Sequence, residues 1–220
     1  MSSKFELNIL NNNTIPNLPL ITTFIIKNKI PYIVVKPEMS TAAMVERSSK
    51  NGRFKIIVAI GFDDFGKSFA TDKLINIHKD SFAADGFDIL ITPNKTQNET
   101  KNEMISIIDF ISKINTLSEI RFSLHINNDC TGAVKAMNNL PISMIRGCQH
   151  VELSDNVISK QILLDRVINI RKLTGKSIKI GGNINYEIYK ELLKYVTRFD
   201  VTYEQARSIL RAMELENNKK

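Results

Sequence analysis

The feature that most restricts the fold of this chain is a repeated alternation: short apolar runs are followed by amphipathic stretches of helical length, roughly eight times over. Parallel strands need a crossover between them, usually a helix, so the pattern predicts a parallel sheet. About eight such units is the number that closes a barrel. The expected strands cover residues 5–10, 31–37, 54–60, 86–92, 121–127, 150–154, 179–184 and 199–202. The expected helices cover 20–28, 41–50, 69–84, 104–114, 161–174, 186–196 and 204–215. The fold class read from this is α/β, a single (β/α)8 TIM barrel. A chain of 220 residues with 43% hydrophobic content can bury one substantial core, so one domain over 1–220 is expected. No internal repeat of fixed period is visible.

Local signals agree with this reading. Pro37 cannot donate a ladder hydrogen bond and stops the second strand. Asn51-Gly52 is a helix C-terminal signal. Residues 54–60 are almost continuously apolar, as in a strand covered on both faces. Residues 121–127 alternate instead, with Phe122, Leu124 and Ile126 against Ser123, His125 and Asn127, which leaves His125 inside a barrel whose apolar set packs on helices.

Ionisable residues inside aliphatic strands are the candidates for chemistry. Cys148-Gln149-His150-Val151-Glu152-Leu153-Ser154 and Ser177-Ile178-Lys179-Ile180-Gly181-Gly182-Asn183 each read as a strand with a charge between aliphatics. Inward side chains near strand C-termini form the site of such a barrel, so Glu152 and Lys179 are expected to face each other there. Asp88 lies in Phe87-Asp88-Ile89-Leu90 and must be paired or perturbed. Glu6, Lys36 and His125 complete a group of six expected on one rim or in the lumen. An interior ion pair and a catalytic pair both fit Glu152 and Lys179; a satisfied interior histidine and a base both fit His125.

Other classes are disfavoured. Two cysteines, Cys130 and Cys148, with no secretory start and no long apolar run, point to a reducing cytoplasm and no membrane. The net charge of +7 is spread along the chain as a solvated surface would carry it. Gly66-Lys67-Ser68 lacks the upstream glycine of a phosphate loop. The candidate acids and His125 do not lie at helix-type ligand spacing from one another, so no metal and no cofactor are expected.

These strands resemble deoxyribose-phosphate aldolase, the class I Schiff-base lyase on a TIM barrel. Phe5-Glu6-Leu7-Asn8-Ile9-Leu10-Asn11 is similar to that family's opening Asp-Leu-Thr strand. Ile33-Val34-Val35-Lys36-Pro37 resembles its second strand, and Val58-Ala59-Ile60-Gly61-Phe62 its third. Ala84-Asp85-Gly86-Phe87-Asp88 stands where the family writes Ala-Asp-Glu-Val-Asp, and Lys179 with Gly181-Gly182 is similar to its Lys-Pro-x-Gly-Gly, one residue shorter.

The resemblance implies that Asp88 falls on the proton-relay carboxylate and Lys179 on or beside the lysine that perturbs the nucleophile. The nucleophile does not carry over, because Glu152 stands at the Schiff-base lysine and a carboxylate cannot form an imine. The phosphate grip is altered too: Val201-Thr202-Tyr203-Glu204-Gln205 replaces Gly-x-Ser-Ser before a helix N-terminus, leaving the Gly181-Gly182 half. The implied site is Asp88, Lys179, Glu152, Lys36 and His125 for catalysis, with Glu6, Asn8, Asn127, Ser154, Gly181 and Gly182 for substrate. Two functions stay open. One is a diverged barrel without the original reaction, acting on a protein partner. The other is a carbon–carbon lyase on a small carbonyl or sugar phosphate, with Lys179 or Lys36 as nucleophile and Asp88 moving protons. Either is compatible with a homo-oligomer.

Overall fold

The computed structural model describes residues 4–10, 17–61, 84–91, 95–114, 119–125, 131–138, 140, 149–152, 160–173 and 178–218. Eight parallel strands close a barrel in chain order: β1 (Phe5–Asn8), β2 (Tyr32–Val35), β3 (Lys55–Ile60), β4 (Gly86–Leu90), β5 (Glu119–His125), β6 (Gln149–Glu152), β7 (Ile178–Gly181) and β8 (Arg198–Val201). Closure runs through β8 and β1, with Phe5 level with Phe199 and Glu6 with Asp200. The helices among the described residues are α1 (Leu18–Lys27), α2 (Ser40–Ser49), α3 (Gln97–Ile114), α4 (Thr131–Asn138), α5 (Lys160–Leu173), α6 (Tyr186–Leu192) and α7 (Tyr203–Asn217), and a 3-10 turn spans Pro37–Met39. The expected (β/α)8 architecture is therefore present. The expected helix over 69–84 lies outside the described residues except for its last position, as do Asn127, Ser154 and Gly66-Lys67-Ser68.

The two-residue period of each strand sorts its side chains onto two faces. Phe5, Leu7, Ile33, Val35, Ile56, Val58, Ile89, Phe122, Ile180 and Val201 join the helices in one large buried cluster. The alternate residues line the lumen, which is divided. Val34, Ile57 and Ala59 of β2 and β3 form a separate apolar group with Tyr32 and Leu10, whereas β1, β4, β5, β7 and β8 turn Glu6, Asp88, Arg121, Ser123, Lys179 and Asp200 into burial.

Several boundaries differ from the sequence reading. Helix α3 begins at Gln97 rather than 104 because Thr96 and Glu99 cap it: Glu99 Oε2 accepts from Thr96 N (2.8 Å) and the Glu99 amide donates to Thr96 Oγ1 (3.3 Å). Strand β5 starts at Glu119, two residues early, because the Glu119 amide donates to the Asp85 carbonyl (3.1 Å) ahead of the ladder. Helix α4 was not expected at all; it has eight residues, and Gly132 in its first turn weakens the helical signal.

Candidate functional site

The lumen holds one buried charge network centred on Lys179. Its side chain is fully buried, and its Nζ donates to Glu6 Oε1 on β1 (2.8 Å), to Asp200 Oδ2 on β8 (3.2 Å) and to Asp88 Oδ2 on β4. An ammonium has three donors and no acceptor, so these three carboxylates use its whole hydrogen-bonding capacity. Each carboxylate places its other oxygen on a different donor. Glu6 Oε2 accepts from Arg121 Nη1 (2.6 Å), Asp88 Oδ1 from Ser123 Oγ, and Asp200 Oδ1 from Asn8 Nδ2 (2.7 Å). Arg121 Nε also donates to Glu119 Oε1 (2.9 Å). A buried polar network of this kind is costly when one member is removed.

Below the network, at the N-terminal end of the strands, Tyr32 carries two guanidinium groups, with Lys55 Nζ farther off at 5.9 Å from its ring centroid. The Arg121 guanidinium lies 4.4 Å and that of Arg198 3.8 Å from its ring centroid. Arg198 Nη2 donates to the Tyr32 hydroxyl (2.8 Å), and its Nη1 lies 3.8 Å from Glu6 Oε2. Electron-rich ring faces attract guanidinium groups, so Tyr32 neutralises part of the like-charge repulsion there.

The electrostatics follow from this packing. Burial opposes charge on Lys179, but Asp88, Glu6 and Asp200 outweigh it and hold the ammonium protonated well above the ordinary lysine range. Burial likewise opposes ionisation of Glu6, but Arg121 and Lys179 bring its carboxyl down to about 2. Asp200 goes the other way: burial pushes it up, Glu6 and Asp88 add repulsion, and Lys179 offsets only part, leaving it at about 6. Oxygens of Glu6, Asp88 and Asp200 lie within 4.8 Å of one another, a spacing a divalent cation could use. The Lys179 ammonium bonds all three.

Five of the sequence candidates fall on or beside the network. Glu6, Asn8, Asp88 and Lys179 belong to it, and Gly181 closes β7 directly after. The expected pairing of Glu152 with Lys179 falls on a Glu152 side chain outside the described residues, and only the strand register bears on it. His150 is level with Lys179, and Glu152 is level with Gly181 on one side and His125 on the other. Glu152 is thus two residues away from being level with Lys179, and the carboxylates found on Lys179 come from β1, β4 and β8. The side chains of Glu152 and His125 are outside the described residues. Lys36 follows β2, half-buried, and leads into the 3-10 turn.

At the phosphate-grip position, Gly182 takes a φ of 102°, which an L side chain rarely adopts. Its carbonyl accepts from Gln205 Nε2 (2.9 Å). The first turn of α7 is closed by a reciprocal cap between Thr202 and Gln205, with Glu204 exposed beside it. Sequence reasoning missed Asp200, Arg121 and Ser123. The signal that picked out Asp88 was present for the first two, since Asp200 lies between Phe199 and Val201 and Arg121 between Ile120 and Phe122.

No protein-family model and no curated protein sequence matches the chain. Solved structures do. A deoxyribose phosphate aldolase from Aeropyrum pernix, described as a unique tetramer, superposes with a TM-score of 0.71 at 12% identity, over 97% of this chain and 90% of that one. QR15, an aldolase, matches with a TM-score of 0.73 at 13% identity, over 96% and 95% of the two chains. A Coccidioides immitis protein described as a deoxyribose-phosphate aldolase gives 0.73 at 12% identity, over 96% and 85%. With its closed eight-stranded barrel and this near-complete overlap, the chain has the deoxyribose-phosphate-aldolase-like (β/α)8 fold.

Proposed function

We propose that this barrel does not perform imine-dependent carbon–carbon cleavage and acts by binding, through a protein partner or a second copy of itself. The observation that carries this reading is the enclosure of Lys179 Nζ by Glu6, Asp88 and Asp200, with every donor of the ammonium engaged. An imine requires a neutral amine with a free lone pair to attack a carbonyl carbon. Here the lysine is held charged and buried, and the position that resembles the family's nucleophile is Glu152. The capped start of α7, with Glu204 in its first turn, also disfavours a phosphate there. Two cysteines in the whole chain fit a reducing, cytoplasmic setting. No helix among the described residues is long and apolar enough to cross a membrane.

A lyase reading keeps one supporting observation. Asp88 contacts Lys179 directly, and Asp200, held at about 6, is a carboxylate able to take a proton from it. In that reading Lys179, or the half-buried Lys36 at the end of β2, loses a proton, bonds to the carbonyl carbon of a small sugar phosphate, and the carbonyl oxygen leaves as water. The test is borohydride trapping with deoxyribose 5-phosphate and a panel of aldehydes and ketones, followed by mass mapping of lysines. The binding reading expects no reduced lysine adduct and no more than trace cleavage. A stable adduct on Lys179 or Lys36 with turnover at enzymatic rates would replace it with the lyase.

A further inference from the structure

On the rim opposite the strand C-termini, the turns after α1 and α2 enclose a pocket of about 330 Å³. Its apolar wall comes from Ile25, Ile26, Ile30, Pro31 and Phe54, and its polar edge from Lys29, Asn51 and Arg53. This volume lies at the small end of ligand cavities, and an apolar wall with few polar groups is their usual make-up.

Both turns share one geometry. After α1 the Ile30 amide donates to the Ile25 carbonyl (3.0 Å) and Lys29 to Ile26 (3.2 Å); after α2 the Gly52 amide donates to Arg47 (2.8 Å) and Asn51 to Ser48 (3.2 Å). This motif puts the residue after the cap in the left-handed region, where glycine is favoured. Here those residues are Lys29 (φ 52°) and Asn51 (φ 50°). A lysine at such a position is conformationally costly, and this one lines the pocket. Glycine is required instead at Gly52, where a Cβ would meet the Phe54 ring at 2.8 Å, so the ring can close the pocket wall.

The charges complete the argument. Neighbouring cations each have a carboxylate: Arg47 pairs with Asp85, Lys50 with Glu46 (3.2 Å) and Lys55 with Glu119 (3.4 Å). Among the described residues, the side chains of Lys29 and Arg53 have neither an ion pair nor a hydrogen bond. Two exposed cations without counter-ions over an apolar cavity are complementary to a ligand that is apolar in body and negative at one end.

We propose that this pocket binds a small amphiphilic anion, an aromatic or short aliphatic body carrying one acidic head group, with Lys29 and Arg53 on the head group and Ile26, Ile30 and Phe54 around the body. The proposal is independent of what the barrel lumen does. The test is calorimetric titration of the intact chain with 1-naphthoate and with its uncharged isostere 1-naphthamide. The expected result is saturable one-site binding in which naphthoate is favoured over the amide by about ten-fold, and loss of that preference in the Lys29→Gly, Arg53→Gln double variant. Glycine suits the left-handed position, so Lys29→Gly should melt no lower than the parent. Ile26→Glu, a change at the exposed rim, should abolish naphthoate binding independently of the double variant. Equal affinity for naphthoate and naphthamide, absence of saturable binding, or full naphthoate affinity in the double variant would overturn the proposal.

Discussion

At Lys179 one side chain joins four strands, because a β7 ammonium meets carboxylates from β1, β4 and β8. Lys179→Met should cost about 3–5 kcal/mol in urea unfolding, since it leaves three buried carboxylates sharing one interior space. Adding Asp200→Asn should recover part of that loss, giving less than the sum of the two single changes; strict additivity would mean the two side chains are not coupled. The network also sets a pH signature with opposite signs. Glu6 has a folded pKa depressed to about 2, so its stabilisation is full above its unfolded value of 4.5 and is lost as pH falls toward 2. Asp200 is raised from 3.8 to about 6, so the folded state holds that proton more tightly and stability declines as pH rises through this window. Asp200→Asn should remove a decline on the order of 2–3 kcal/mol between these pH values, read from urea midpoints of parent and variant. Parallel pH profiles for the two proteins would contradict the assignment.

At the scale of elements, close approach decides more than propensity. Strand β4 passes so near β5 at Gly86 that a Cβ would meet the Glu119 carbonyl oxygen at 2.6 Å and Ile57 Cδ1 at 2.9 Å. A backbone oxygen in a ladder cannot step aside, so Gly86→Ala should destabilise by about 1–3 kcal/mol, measured by thermal or urea unfolding. Thr96→Ala should cost about 1 kcal/mol by uncapping α3. Thr96-Gln97-Asn98-Glu99 is a readable start signal, and reading the helix from its apolar face at Met104 alone hid its first two turns. Strands β1, β2, β3, β4, β7 and β8 were legible because their outward faces carry large aliphatics and aromatics, such as Ile56, Val58 and Ile60 on β3. Helix α4 was not, because eight residues give too little periodicity to stand out.

For the whole molecule, the architecture could be read from the sequence because βα alternation leaves few ways to pair parallel strands, whereas the contents of the lumen could not. Which inward charges meet depends on stagger around the barrel, a quantity no single strand encodes. Glu152 and Lys179 looked like partners by analogy of position, yet the register sets Lys179 level with His150. The same division of the lumen, apolar at β2 and β3 and ionic at β1, β4, β5, β7 and β8, explains why a lysine in the middle of the barrel need not be a nucleophile. The account stands or falls on the charge of that lysine. The most direct measurement is the nitrogen chemical shift of Lys179 Nζ, assigned with the Lys179→Met variant and followed by NMR as pH is raised. The account predicts that it stays in the ammonium range through and beyond the ordinary lysine value of 10.5 for as long as the protein is folded. A titration midpoint at or below that value would contradict it and make Lys179 an available amine.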